Sequence, residues 1–173
     1  RLYRAGTVCE THLDDPSRAA ELFQQALQHA PDHHGALEAA TRALATADRW
    51  GDVAQTLRAA AANTRSADSA VQHLYRAARI LDDRCEDTDG AIGCLQRCLD
   101  LQPNFLPAVD LLRELSARKG NWQSVYDLRR LQAGAVGHGR ERQWHLLDAA
   151  EVTGHLEGLD PEAVALEILD SAP

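Results

Sequence analysis

The 173 residues are 45% hydrophobic but only 5% aromatic, a balance that suits an Ala/Leu-rich helical array better than a sandwich or barrel. The formal charge of −8, with a single lysine (Lys119) among 18 basic side chains, argues against a nucleic-acid partner, because such binding draws on basic residues that neutralise phosphate. No apolar run approaches the ~20 residues of a membrane-spanning helix, so membrane insertion is not expected, and no basic-apolar signal segment opens the chain.

In chain order, the first helix boundary is written in "LDDPSRAAELF": Asp15 is a good N-cap acceptor, and Pro16 fits the first helical position, where its missing N–H would be unpaired anyway. Pro31 ends that helix, because proline cannot continue one from inside. "ALEAATRALATADRWGDVAQTLRAA", residues 36 to 60, sets Leu37, Ala40 and Leu44 at three- and four-residue steps, then Val53, Leu57 and Ala60 after a break, which is helix, turn, helix. Ser69 and Gln72 stand at capping-box spacing before "HLYRAARIL".

From there the chain repeats itself at a spacing of seventy-two. Leu2-Tyr3-Arg4-Ala5 returns as Leu74-Tyr75-Arg76-Ala77, Asp15 as Asp87, Ala19 as Ala91, Leu27 as Leu99, Pro31 as Pro103 and Trp50 as Trp122, without a gap from Leu2 to Arg58. Ungapped self-similarity of this length marks a tandem structural unit. The expected organisation is four hairpins over residues 1–132, as two copies of a 72-residue double repeat. A Gly-rich loop over 133–142 and a fifth, partial hairpin over 143–173 follow, the last restarting at Asp160 and Pro161 with Val164 and Ile168 on its stripe.

A small-apolar-small-proline frame on the second helix, carried by Ala19, Phe23, Ala26 and Pro31 and again by Ala91, Leu95, Cys98 and Pro103, resembles the tetratricopeptide repeat, a unit of about thirty-four residues forming two antiparallel helices. The resemblance covers nearly the whole chain and implies an all-α, right-handed superhelix (α-solenoid) of about five such hairpins. Close approach of paired helices requires small side chains, here Ala5, Gly6, Ala77, Ala78, Ala19 and Ala91, while Phe23, Leu95, Leu27 and Leu99 fill the space between hairpins.

In this family the first helix of each hairpin lines a groove for an extended or helical peptide. Carried over by register, the groove residues are Tyr3, Thr7 and Glu10, then Glu38 and Arg42, then Tyr75, Arg79 and Asp82, and then Asp110 and Glu114. The implied partner is a protein or peptide segment with basic and apolar side chains. Family members that clamp a chaperone's C-terminal carboxylate use Lys and Asn one turn apart. Tyr3 with Thr7, and Tyr75 with Arg79, occupy those slots here, so that clamp is absent.

Cys94 and Cys98 lie one helical turn apart, a spacing that can present two thiolates to a metal. Cys98 nevertheless holds the small-residue slot of Ala26, and core packing is the expected role. His33 and His34 fall at a hairpin junction and read as a solvated or partly packed turn. No phosphate loop, nucleophile elbow or HExxH motif is present, so no catalysis, cofactor or metal is expected. The functional expectation is a non-catalytic protein-binding scaffold, with an architectural spacer or oligomerisation array as the alternative. The chain begins at Arg1 and contains no Met, which suggests a section of something longer, and a cytoplasmic setting is the default expectation.

Overall fold

The computed structural model describes residues 1–135 and 139–156 and, beyond them, Ala163, Leu166 and Asp170. In chain order the helices are α1 (Leu2–His12), α2 (Pro16–His29), α3 (His34–Thr46), α4 (Trp50–Asn63), α5 (Ala67–Cys85), α6 (Thr88–Leu101), α7 (Leu106–Arg118), α8 (Trp122–Ala135) and α9 (Arg140–Val152), followed by one 3-10 turn, Thr153–His155. There is no strand among the described residues, and none of their helices is long and apolar enough to cross a membrane. The fold is all-α, as expected.

The boundaries follow from local chemistry. The Asp15 carboxylate accepts from the Arg18 amide at 2.9 Å, and Pro16 opens α2. Asp87 does the same for α6 through Gly90, also at 2.9 Å. Pro31 and Pro103 stand two residues beyond the helices they follow. The limits of α2, α3 and α4 recur at the repeat spacing of seventy-two as those of α6, α7 and α8. Turn geometry recurs as well: Asp14 and Glu86 are both left-handed, at φ of 49° and 54°, and so are Asp48 and Gly120, at 56° and 69°.

Two local expectations are corrected. The cap of α5 is Ser66, whose hydroxyl accepts from the Ser69 amide at 3.2 Å. It lies three residues before the Ser69 and Gln72 pair, and the longer helix brings Ala70, Val71 and Leu74 onto one buried stripe. Ala5 is exposed, and close approach falls to Gly6, one position on. Helix also occupies 133–135 and 140–142, the two ends of the stretch expected as a loop, and 136–138 are outside the described residues. So is most of the second helix expected for a fifth hairpin, including Asp160, Pro161, Val164 and Ile168.

The chain divides into two compact units, Arg1–Pro103 and Asn104–Pro173. Within each, every helix packs on the next in sequence, α1 through α6 in the first and α7 through α9 in the second, the packing order of an α-solenoid. The core of the first unit is built on Phe23, Leu44, Leu57, Leu74 and Leu95, each fully buried, with Ala layers at 19, 20, 36, 40, 77, 78 and 91 between them. Leu27 and Leu99 are only half-buried. Gly6 is where α1 meets α2: a Cβ there would sit 2.7 Å from Phe23 Cε1 and 2.8 Å from Cδ1. In the second unit Val109, Leu115 and Leu146 are fully buried, and Tyr126 packs with Ala149.

Candidate functional site

In the first unit the first helices of the three hairpins are α1, α3 and α5, and long-range ion pairs tie them together. Arg42 on α3 donates from Nε and a terminal nitrogen to the two Glu10 carboxylate oxygens on α1, at 2.8 and 2.9 Å. Arg76 on α5 donates to Glu38 on α3 at 2.8 Å. The fork geometry matches the planar carboxylate, and the Arg42 hydrogen bonds hold Glu10 below the ordinary carboxylate range against a smaller opposing effect of burial. Arg76 lowers Glu38 in the same way. Glu10 is the more sheltered partner, at 22% side-chain exposure against 61% for Arg42, so the guanidinium is the outer group of this pair.

Aromatic groups border the ladder. The Tyr3 ring lies 5.6 Å from Phe23 and 5.0 Å from His33, centroid to centroid, and the residue keeps 36% of its surface exposed. Thr7 is half-buried and returns its hydroxyl to the Tyr3 carbonyl at 3.0 Å. Tyr75 is half-buried on α5. Arg79 is exposed, 3.7 Å from Asp83. Asp82 accepts from the Thr88 hydroxyl at 3.5 Å. Near Glu38, burial and then the Arg76 charge push His73 down, with Glu38 opposing them.

Asp110 and Glu114 stand on α7 in the second unit. Asp110 accepts from Gln132 Nε2 at 2.8 Å, and Glu114 is exposed. Deeper in that unit Arg129 pairs with Asp148 at 2.7 Å, and Trp122 stacks on His155 at 4.4 Å. The ten groove residues expected from sequence therefore fall on first helices. Structure adds a pairing within them, Glu10 with Arg42, and several to neighbours outside the set, of which Glu38 with Arg76 joins two first helices.

Sequence reasoning missed a role for His33. Its Nδ1 accepts from the Ala36 amide at 3.0 Å and caps α3, while its ring braces Tyr3. Its repeat counterpart, Phe105, makes no side-chain cap at α7. A histidine just ahead of the helical stretch, at cap spacing from Ala36, was the available signal.

Cys94 and Cys98 are buried on α6. The Cys98 thiol points to the Val71 carbonyl at 3.5 Å, and burial pushes it up to about 12. Burial raises Cys94 as well. No group of three or more metal-ligating side chains occurs among the described residues.

No family model matches the sequence, and no curated protein does. Solved structures do. YrrB, described as a TPR protein with an unusual peptide-binding site, is 17% identical with a TM-score of 0.51, over 98% of this chain and 82% of that one. The MamA protein is 13% identical with a TM-score of 0.50, over 98% of this chain and 85% of that one. The fold is that of the tetratricopeptide repeat. Among the described helices, α1 packs with α2, α3 with α4, α5 with α6 and α7 with α8.

Proposed function

We propose that the chain is a non-catalytic scaffold that holds a polypeptide segment against the first-helix face of its first unit. The ladder of Glu10 with Arg42 and Glu38 with Arg76 carries the reading. It ties three successive first helices at fixed spacing, so a ligand meets a surface whose ordering cost is already met. Tyr3 and Tyr75 are of the residue type that anchors interfaces, and Tyr3 packs beside Phe23 and His33. YrrB, of the same fold, is described as having a peptide-binding site.

The partner's chemistry follows from which charges are engaged. Glu10 and Glu38 are neutralised by arginines, so basic side chains on the partner are the lesser part of the preference. The preference for apolar side chains rests on the two tyrosines. A peptide array probed with wild-type chain and with Tyr3→Ala/Tyr75→Ala tests this, with melting curves alongside because Tyr3 also packs on Phe23. Arg79→Glu is the companion variant, since Arg79 is exposed and lies 3.7 Å from Asp83 within the same helix. Hits that bind all three proteins equally would refute the assignment.

The architectural alternative keeps one observation in its favour: α9 exposes Trp144 by 67% and Leu147 by 45%, three residues apart on one helical face. Self-association that disappears in Trp144→Ala/Leu147→Ala, with no array hit, would put that reading first.

A further inference from the structure

A depression in the first unit lies on the second helices, α2 and α4, away from every residue of the ladder, and holds about 640 Å³. Cavities of ~300–1,000 Å³ are the size of ligand sites. Leu27 and Pro31 from α2 and its end, with Ala59 and Ala60 from α4, supply the apolar part of its lining, and the two alanines leave it open. Its polar lining is mostly carboxamide: Gln24 and Gln28 on α2, Gln55 and Asn63 on α4.

Gln24 Nε2 donates to the Thr56 hydroxyl at 3.3 Å, which in turn donates to the Asp52 carbonyl at 2.7 Å. This chain ties α2 to α4 across the depression. Gln28 and Gln55 stand exposed along its sides. The only charged lining residues, Arg49 and Asp52, are paired with each other at 2.6 Å.

We infer that this groove is a second polypeptide site, for an extended, uncharged segment read mainly through its main chain. A carboxamide offers N–H donors and a carbonyl acceptor together, the complement that a peptide bond requires. An ionised ligand would meet only an Arg–Asp pair already satisfied, and would gain little for its desolvation. The α4 side, from Asp52 to Asn63, runs for about 16 Å at the helical rise, the length of roughly five extended residues. The small side chains of the lining suit a segment of Ala, Ser, Pro or Leu. The site shares no residue with the Tyr3 and Tyr75 face, so either can fail without the other.

The test uses the whole chain, labelled with nitrogen-15, and a library of short capped peptides composed of Ala, Ser, Pro, Leu and Gln. The expected result is a shift of the side-chain amide resonances of Gln24, Gln28, Gln55 and Asn63, and affinity that does not change between low and high salt. Gln28→Ala/Gln55→Ala should weaken binding about tenfold, the loss of two hydrogen bonds, and main-chain N-methylation of the peptide should abolish it. Both glutamines are exposed, so folding is not at stake. No binding by any peptide, binding unchanged in the double variant, or shifts confined to α1, α3 and α5 would overturn the inference. So would self-association of the free chain that the same double variant removes, which would make a second copy the occupant.

Discussion

Gly6→Ala measures how tightly the first hairpin is packed. In an exposed helix interior the change would be favourable by about 1 kcal/mol, because alanine is the better helix former. Here the new methyl would meet three atoms of the Phe23 ring at 2.7 to 3.0 Å. Phe23 is fully buried, so its ring cannot swing out into solvent. Overpacking of this kind costs roughly 1–3 kcal/mol and outweighs the propensity gain, so the net loss should be about 1 kcal/mol. Gly93→Ala on α6 is the control: a Cβ there meets nothing within 4 Å, and the change should stabilise by about 0.5–1 kcal/mol.

The second copy of the repeat shows how the clash is relieved. At the positions of Gly6 and Phe23 it carries Ala78 and Leu95, both fully buried, so one side gains a methyl and the other a smaller side chain. Phe23→Leu alone should leave a void and lose about 1–2 kcal/mol. The double change Gly6→Ala/Phe23→Leu should lose less than the sum of the singles, with a coupling energy of about 1–2 kcal/mol. Urea titration followed by helical circular dichroism, on wild type, both singles and the double, reads all four corners. Additive losses, or a Gly6→Ala variant as stable as Gly93→Ala, would refute the packing account.

The remaining predictions are local. Above the ordinary thiol value of 9.0, unfolded Cys98 ionises while the folded thiol, pushed up to about 12, does not; the unfolded state then binds fewer protons, so stability falls as pH rises through that window. Cys98→Ala should be mild at neutral pH and should flatten this alkaline slope in pH-dependent urea titrations, whereas Cys98→Leu should lose about 1–3 kcal/mol by overpacking. Glu86→Gly should raise stability by about 1 kcal/mol in the same titration, because Glu86 holds a left-handed φ of 54° that costs an L-residue about that much. His33→Ala should cost about 1 kcal/mol through the lost cap, with His33→Asp restoring most of it. A double-mutant cycle on Glu10 and Arg42 should give a coupling of about 0.5–1 kcal/mol, the size for a pair whose arginine is largely exposed. Because Arg42 lowers Glu10, that coupling should be present at neutral pH and fade as pH falls below the usual carboxylate range.

What the sequence made legible is what depends on local spacing. Asp15 with Pro16, the prolines at 31 and 103 and the seventy-two-residue echo placed α2, α3 and α4 and their repeats, because caps, breakers and helical periodicity act within a turn or two. The small-residue frame also anticipated the burial of Ala19, Ala91 and Cys98. Less legible were pairings between hairpins. Glu10 and Arg42 are 32 residues apart, and Glu38 and Arg76 are 38 apart, so their meeting depends on how one hairpin settles on the next. The groove residues thus read as an acid-leaning set, when Glu10 and Glu38 are already engaged. The amide groove on α2 and α4 escaped for the same reason, since it exists only once the two second helices are set side by side.

The claim that the first-helix face holds a polypeptide is tested most directly by calorimetric titration of one array-selected peptide into three proteins: wild type, Tyr3→Ala/Tyr75→Ala and Gln28→Ala/Gln55→Ala. With all three shown to be folded, the account predicts that loss of the tyrosines weakens binding by about tenfold or more, that loss of the glutamines leaves it unchanged, and that wild-type affinity declines modestly with salt. Equal affinity in wild type and the tyrosine variant would contradict it.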